Sequence, residues 1–451
     1  MDTAIEPGRT RQRGPRVALV VGVAAAMFAV GGMGLFRSVR SHPPAVSSHL
    51  APAFADRPVV GSGTLSDAIA SLQARLTSLP QDFGSWSALG LAYVQQARVT
   101  ADPGYYPKAE EALNRSLSIR PSENFQALTG LAALAAARHD FSRSLEFGRR
   151  AEAINPDNAN VHGVIGDALI ELGRYPEAFG ELQRMIDLRP GLSSYARVSY
   201  ARELQGDSAG AAALMRQALE YAGSPSDRAW ASNQLGDLAF NAGNLAGAQE
   251  SYRMATQLDA TFFPAQAGLA RVAAARGETD RAIRAYDQVV AAYPLPEYVV
   301  ALADLQTAAG RTADAERTVG LLRVEERLFQ ASGVNVDLEI ALFDADHGVD
   351  LPVGLTAARN EWAKRQSVQV ADALAWSLYA GGRYDEALTY SSKALALGTR
   401  NASFHFHRGM IERALGNTAA ARKDLKAALD INPHFSILWS DHARRVLKGL
   451  E

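Results

Sequence analysis

The sequence predicts an all-α solenoid, a superhelix of helical hairpins in series, preceded by one N-terminal transmembrane helix. Three observations predict it. Similar sequence returns about every 34 residues between residues 64 and 433. Each copy carries a small residue, a turn glycine, an alanine and a closing proline at fixed offsets. Twenty uncharged residues, Val17 to Phe36, stand before the repeats.

Taken in order, residues 1–16 form a basic tail with Arg9, Arg11, Arg13 and Arg16. Residues 17–36 read VALVVGVAAAMFAVGGMGLF, long enough as a helix to cross a hydrocarbon core of about 30 Å. Only Arg37 and Arg40 follow closely, so the positive excess holds the tail in the cytoplasm and places the repeats outside, in the periplasm of a bacterium. A cytoplasmic array is the reverse of this topology. A cleaved secretory signal is the rival for the segment itself, with an A-x-A site at Ala53-Phe54-Ala55. That site lies far beyond the apolar run, which favours an uncleaved signal-anchor. Ala18, Gly22 and Ala26 are spaced to let two anchors pack, and nothing else supports a homodimer. Residues 37–63, with Pro43, Pro44, Pro52, Pro58 and Gly61-Ser62-Gly63, read as a flexible stalk.

The repeats follow. HGVIGDALIELGRYPEAFGELQRMIDLRP (His162 to Pro190) aligns with Gln266 to Pro294 and His405 to Pro433. Gly166, Ala270 and Gly409 are followed by the turn glycines Gly173, Gly277 and Gly416, and then by Ala178, Ala282 and Ala421. Small residues let the two helices of a hairpin cross closely, and glycine ends the first helix at positive φ. Proline is expected to open the next helix. A single hairpin cannot bury its apolar stripe, so the units must stack. In the first unit, Trp86, Leu89, Gly90 and Tyr93 precede Ala109, Leu113 and Pro121, with seven extra residues near Thr100 to Tyr106.

These motifs resemble the tetratricopeptide repeat, and the resemblance covers most of residues 64–433 in about ten units. Residues 332–365 depart most from the pattern, where the array would bend or change pitch. Leu65 to Pro80 reads as a half unit, and residues 434–451 as a C-terminal capping helix over His434 to Leu450.

Composition narrows function. The 451 residues are 47% hydrophobic and 21% charged, which suits a folded chain, and the net charge of -2 argues against nucleic acid as a partner. The absence of cysteine removes thiol catalysis, disulfides and cysteine-bound metals. No nucleophile motif, phosphate-binding loop or dinucleotide fingerprint occurs. Asp344, Asp346 and Asp350 around Gly348 lack the spacing of a calcium loop, and His405 and His407 stand two apart, the wrong spacing for a metal pair on a helix. No enzyme, cofactor or metal is expected.

The resemblance implies a concave surface, made by first helices, that grips a peptide or helix. Its inward positions would be Asp167, Tyr200, Asn233, Asp237, Arg271, Asp304, Trp376 and Tyr379. The expected function is therefore a membrane-anchored scaffold or adaptor for protein partners in envelope assembly, maturation or transport. The alternative is an enzyme or small-ligand receptor with its site in 332–365, where Asp344 or Glu361 would act.

Overall fold

The computed structural model of the chain describes residues 65–450. The basic tail, the transmembrane helix at 17–36 and the stalk at 37–63 lie outside the described residues. No helix among the described residues is long and apolar enough to cross a membrane.

Helix α1 (Leu65–Ser78) leads into the hairpins α2 (Phe83–Thr100) with α3 (Tyr105–Ile119), and α4 (Phe125–Ala137) with α5 (Phe141–Ile154). Next come α6 (Ala159–Glu171) with α7 (Tyr175–Leu188), and α8 (Leu192–Leu204) with α9 (Ser208–Glu220). Then follow α10 (Pro225–Asn241) with α11 (Leu245–Leu258), and α12 (Phe263–Ala275) with α13 (Thr279–Ala292). The series continues through α14 (Pro296–Ala308) with α15 (Thr312–Ala331), and α16 (Asp337–His347) with α17 (Leu351–Lys364). It ends with α18 (Val368–Ala380) and α19 (Tyr384–Ala394), α20 (Ala402–Ala414) and α21 (Thr418–Ile431), and the last helix α22 (Ser440–Lys448). The divergent stretch thus forms an ordinary hairpin, α16 with α17.

First and second helices bury different amounts of surface because they have different neighbours. First helices touch their partner and also the first helices of adjacent hairpins, as α4 does with α6. In α6 every residue but Asn160 is buried. Second helices lie outside and bury one stripe; in α7 it is Tyr175, Ala178, Leu182 and Met185, at helical spacing.

Small residues sit where the sequence places the crossings. A Cβ at Gly166 would lie 2.5 Å from Leu182 Cδ2, and one at Gly90 2.5 Å from Leu113 Cγ. Gly173 (φ 76°) closes α6: its N–H donates to Ile170 O, and the Arg174 N–H donates to Leu169 O. Asp140, Asn158, Asp207 and Asn244 cap their helices through side-chain oxygens.

Three expectations change in detail. The closing prolines Pro121, Pro156 and Pro190 stand in the links between hairpins rather than at the first turn of the next helix. They follow a capping residue and stop the preceding helix. The extra residues of the first unit lengthen α2 to 18 residues, leaving a short link in which Ala101 takes φ 53°. The C-terminal helix is Ser440–Lys448 alone, because Pro433 cannot continue α21 and the Asn432 carboxamide binds the His434 N–H in a turn.

The hairpins also meet across one full turn of the superhelix. His139 Nδ1 lies 2.7 Å from Asn335 O, 196 residues on, and Tyr293 Oη donates to Arg98 O at 2.7 Å across 195 residues. The Val368 N–H donates to Tyr175 Oη (2.7 Å), Thr399 Oγ1 to Leu204 O (2.5 Å) and Asn432 Nδ2 to Phe240 O (2.9 Å), across 192 to 195 residues. Val334, Val336, Val368 and Phe404 of the later turn share a core with Tyr175, Tyr200 and Leu204 of the earlier one. A constant separation near 194 residues is just under six hairpins, so successive turns form a continuous seam.

Candidate functional site

The first helices carry the residues expected to face a partner, and the seam decides how much of each stays free. Asp167 on α6 is buried and paired with Arg197 of α8, whose Nε lies 3.0 Å from both carboxylate oxygens. Burial pushes its carboxyl above the usual range, against the opposing pull of Arg197.

Two repeats further on, Asp237 Oδ1 accepts from Arg271 Nη2 (2.6 Å) and from Tyr252 Oη (2.7 Å), and Asp237 Oδ2 accepts from Asn233 Nδ2 (3.0 Å). Arg271 also lies over the Phe240 ring at 4.1 Å. Tyr200 accepts from Gln369 Nε2 at 2.6 Å across the seam. Asp304 meets His347 Nε2 at 3.0 Å. Burial disfavours the charged His347, but Asp304 outweighs it and holds its pKa above the ordinary value. Trp376 is buried and stacks on Tyr379 with ring centroids 4.7 Å apart.

The structure thus brings Asn233, Asp237 and Arg271 into one network with Tyr252. It sets Asp167, Asp304 and the Trp376–Tyr379 pair in separate clusters.

Sequence reasoning missed Arg197, Tyr252, His347 and Gln369. A signal exists for the first: Asp167 and Arg197 stand 30 residues apart, and Asp237 and Arg271 34 apart, close to one repeat period. Gln369 offers none, because its neighbour Tyr200 comes from another turn of the superhelix.

Several other polar clusters carry their own counter-charges. Glu152, His162 and Glu181 offer ligand atoms within 4.8 Å of one another, but Arg149 Nη1 already donates to Glu152 (2.8 Å) and Glu181 (2.5 Å). That guanidinium supplies the cation for these carboxylates. In the divergent hairpin, Asp344 accepts from Arg323 Nη2 at 2.8 Å, and Glu361 is bound by Arg365 and by Asn335 Nδ2 (2.5 Å). Asp346 Oδ1 accepts from the indole N–H of both Trp376 and Trp439, at 2.8 Å each. His405 faces Asp424 and His407 faces Asp372, so both histidines are held by carboxylates on different neighbours.

Where the turns meet, a cavity of about 150 Å³ opens among α8, α10, α12 and the segments that start α18 and α20. Tyr200 and Arg271, both expected in the partner surface, line it together with Gln369, Glu203, Phe240 and Phe404.

The profile of the tetratricopeptide repeat family matches residues 268–322 and 373–434. No curated protein matches the chain. Among solved structures, the crystal structure of the APC/C hetero-tetramer Cut9–Hcn1 is similar at 14% identity and TM-score 0.38, over 86% of this chain and 90% of that one. Pseudomonas aeruginosa pilF is similar at 22% identity and TM-score 0.35, over 47% and 92% of the two chains. TTC0263, a thermophilic TPR protein of Thermus thermophilus, is similar at 21% identity and TM-score 0.35, over 38% and 91%. Two stretches of this chain thus match the tetratricopeptide repeat profile, and among the described residues they lie within an uninterrupted series of helical hairpins.

Proposed function

We propose that the chain is a membrane-tethered scaffold that binds protein or peptide partners outside the cytoplasmic membrane, in an envelope assembly, maturation or transport process. The observation that carries it is the array itself: ten hairpins among the described residues, stacked without an inserted domain, two stretches of which match a repeat that generally mediates protein–protein interaction. Such an array offers a partner an extended surface of outer helices, array ends and inter-turn seam. The apolar run Val17 to Phe36 behind a tail of four arginines supports the tether and its direction.

The test is proximity labelling in intact cells with the labelling enzyme fused at the C-terminus, followed by mass spectrometry. A reproducible set of extracytoplasmic proteins is expected, lost when residues 64–433 are deleted and the anchor is kept. Labelling confined to cytoplasmic proteins reverses the topology, and a set unchanged by the deletion removes the scaffold role.

A further inference from the structure

Helix α21 reads TAAARKDLKAALDI, and two of its faces differ in what covers them. Ala421, Leu425 and Ala428 form the buried stripe, where Leu425 meets Gly409 of α20. Ala419, Arg422, Lys423, Lys426 and Asp430 stand at helical spacing on another face. Within the array a second helix is covered by the next first helix, which in α12 is 13 residues long. Beyond α21 comes only α22, with 9 residues against 14. An open groove of about 530 Å³ is left between them. Leu429 and Leu447 are half-buried in it, and Arg422, Lys423 and Lys426 are exposed along it.

The charge of this groove is one-sided. Exposed arginines on other outer helices are matched three residues away, as Arg174 is by Glu177 and Arg253 by Glu250. Here three cations line the groove with one carboxylate. Lys426 pairs with Asp430, and among the described residues Arg422 and Lys423 form no ion pair. Arg413, Arg445 and Lys448, in the last turns of α20 and α22, are exposed and equally unmatched. Burial, with the charges of Arg445 and Arg413 adding, holds the His442 imidazole below its usual pKa.

We propose that this groove docks an acidic amphipathic helix of a partner protein. Its apolar side chains would lie on Leu429 and Leu447, and its aspartates or glutamates against Arg422, Lys423 and Lys426. The inference rests on the scaffold reading and names the partner chemistry. Residues 419 to 430 advance about 16 Å along α21, which matches three turns of a partner helix. That helix takes the place of a further helix of the stack, by the helix-in-groove mode of recognition. A bilayer surface fits less well, because it takes up protruding apolar side chains and the two leucines lie recessed among charges. Nucleic acid needs a longer run of cations than this local patch offers in a chain of net charge -2.

The experiment uses the full chain in detergent and a fluorescent helical peptide with leucines on one face and glutamates on the rest, read by anisotropy. Matched peptides carry lysine in place of glutamate, or alanine in place of leucine. The glutamate–leucine peptide is expected to bind at least about tenfold more tightly than either. Arg422→Glu with Lys423→Glu is expected to weaken it by about tenfold or more. Arg281→Glu with Arg284→Glu, on the outer helix α13, makes the same change of net charge and leaves binding unaltered.

A photo-crosslinking version of the same peptide, on the unaltered chain, is expected to label segments 419–430 and 445–448, a result independent of how the variants fold. A photo-crosslinking phosphatidylglycerol is the parallel probe. Labelling of these segments by the lipid and not by the peptide overturns the proposal in favour of a lipid surface. Tighter binding of the lysine peptide, equal losses in the two double variants, or no binding of the glutamate–leucine peptide also overturns it. If that happens while the in-cell partner set still depends on residues 64–433, the groove assignment fails and the scaffold role stands.

Discussion

Glu325, on α15, is 3% exposed, and its Oε2 has no hydrogen-bond partner. Burial pushes its carboxyl from 4.5 up to about 8. Its folded pKa is raised, so the folded chain binds the extra proton, and stability is full below about pH 4.5 and falls as pH rises through about 8. Glu325→Gln removes the ionisation and keeps the shape. It should raise unfolding stability at pH 7 by on the order of 3 kcal/mol and have little effect near pH 4. Chemical unfolding at the two pH values checks this; a gain of equal size at both would show that ionisation is not the cause. The same scale shows what the sequence conceals. Asp167 and Asp237 read as free groove acids, yet Arg197 and Arg271 neutralise them from the next repeat. The repeat period makes those pairs countable from the sequence. The contact of Arg365 Nη1 with Glu171 Oε2 (2.5 Å), across 194 residues, has no local cue.

At the scale of elements, the helical hairpin was legible because its signals are local: capping side chains, turn glycines and one buried stripe per second helix. The turn glycines then divide into two groups that the sequence cannot separate. Gly173 (φ 76°) and Gly206 (φ 77°) lie against the next superhelical turn, and a Cβ would come 2.3 Å from Gln366 O and Gly398 O respectively. Gly277 (φ 79°) and Gly416 (φ 81°) have the same backbone and nothing within 4 Å. Alanine at Gly277 or Gly416 should cost only the positive-φ penalty, about 1 kcal/mol. Alanine at Gly173 or Gly206 should cost that and a further 1–3 kcal/mol or so, as backbone must move from backbone. Thermal unfolding of the four variants tests the difference, and equal losses would mean that the turns do not touch at these points.

At the scale of the whole array, pitch was the property the sequence could not give. It accumulates from small rotations between successive hairpins, so no single residue encodes it. The register near 194 residues converts an open groove into an interior with its own ion pairs, and it creates the cavity at Arg271 and Gln369. A partner therefore meets outer helices, the ends of the array, or the seam. The expected groove residues are a mixture for the same reason: Asp304 and Tyr379 keep partial exposure, while Asp167 and Trp376 are buried.

Closure of the superhelix is the claim on which the interior, the glycine classes and the seam cavity all depend. The chain has no cysteine, so a pair of spin labels can be placed at Arg202→Cys and Arg400→Cys without background. Both positions are exposed, and they flank the contact of Leu204 with Thr399. Double electron–electron resonance on the full chain should give one short, narrow distance distribution. A long or broad distribution would mean that the two turns stand apart in solution, contradicting the account.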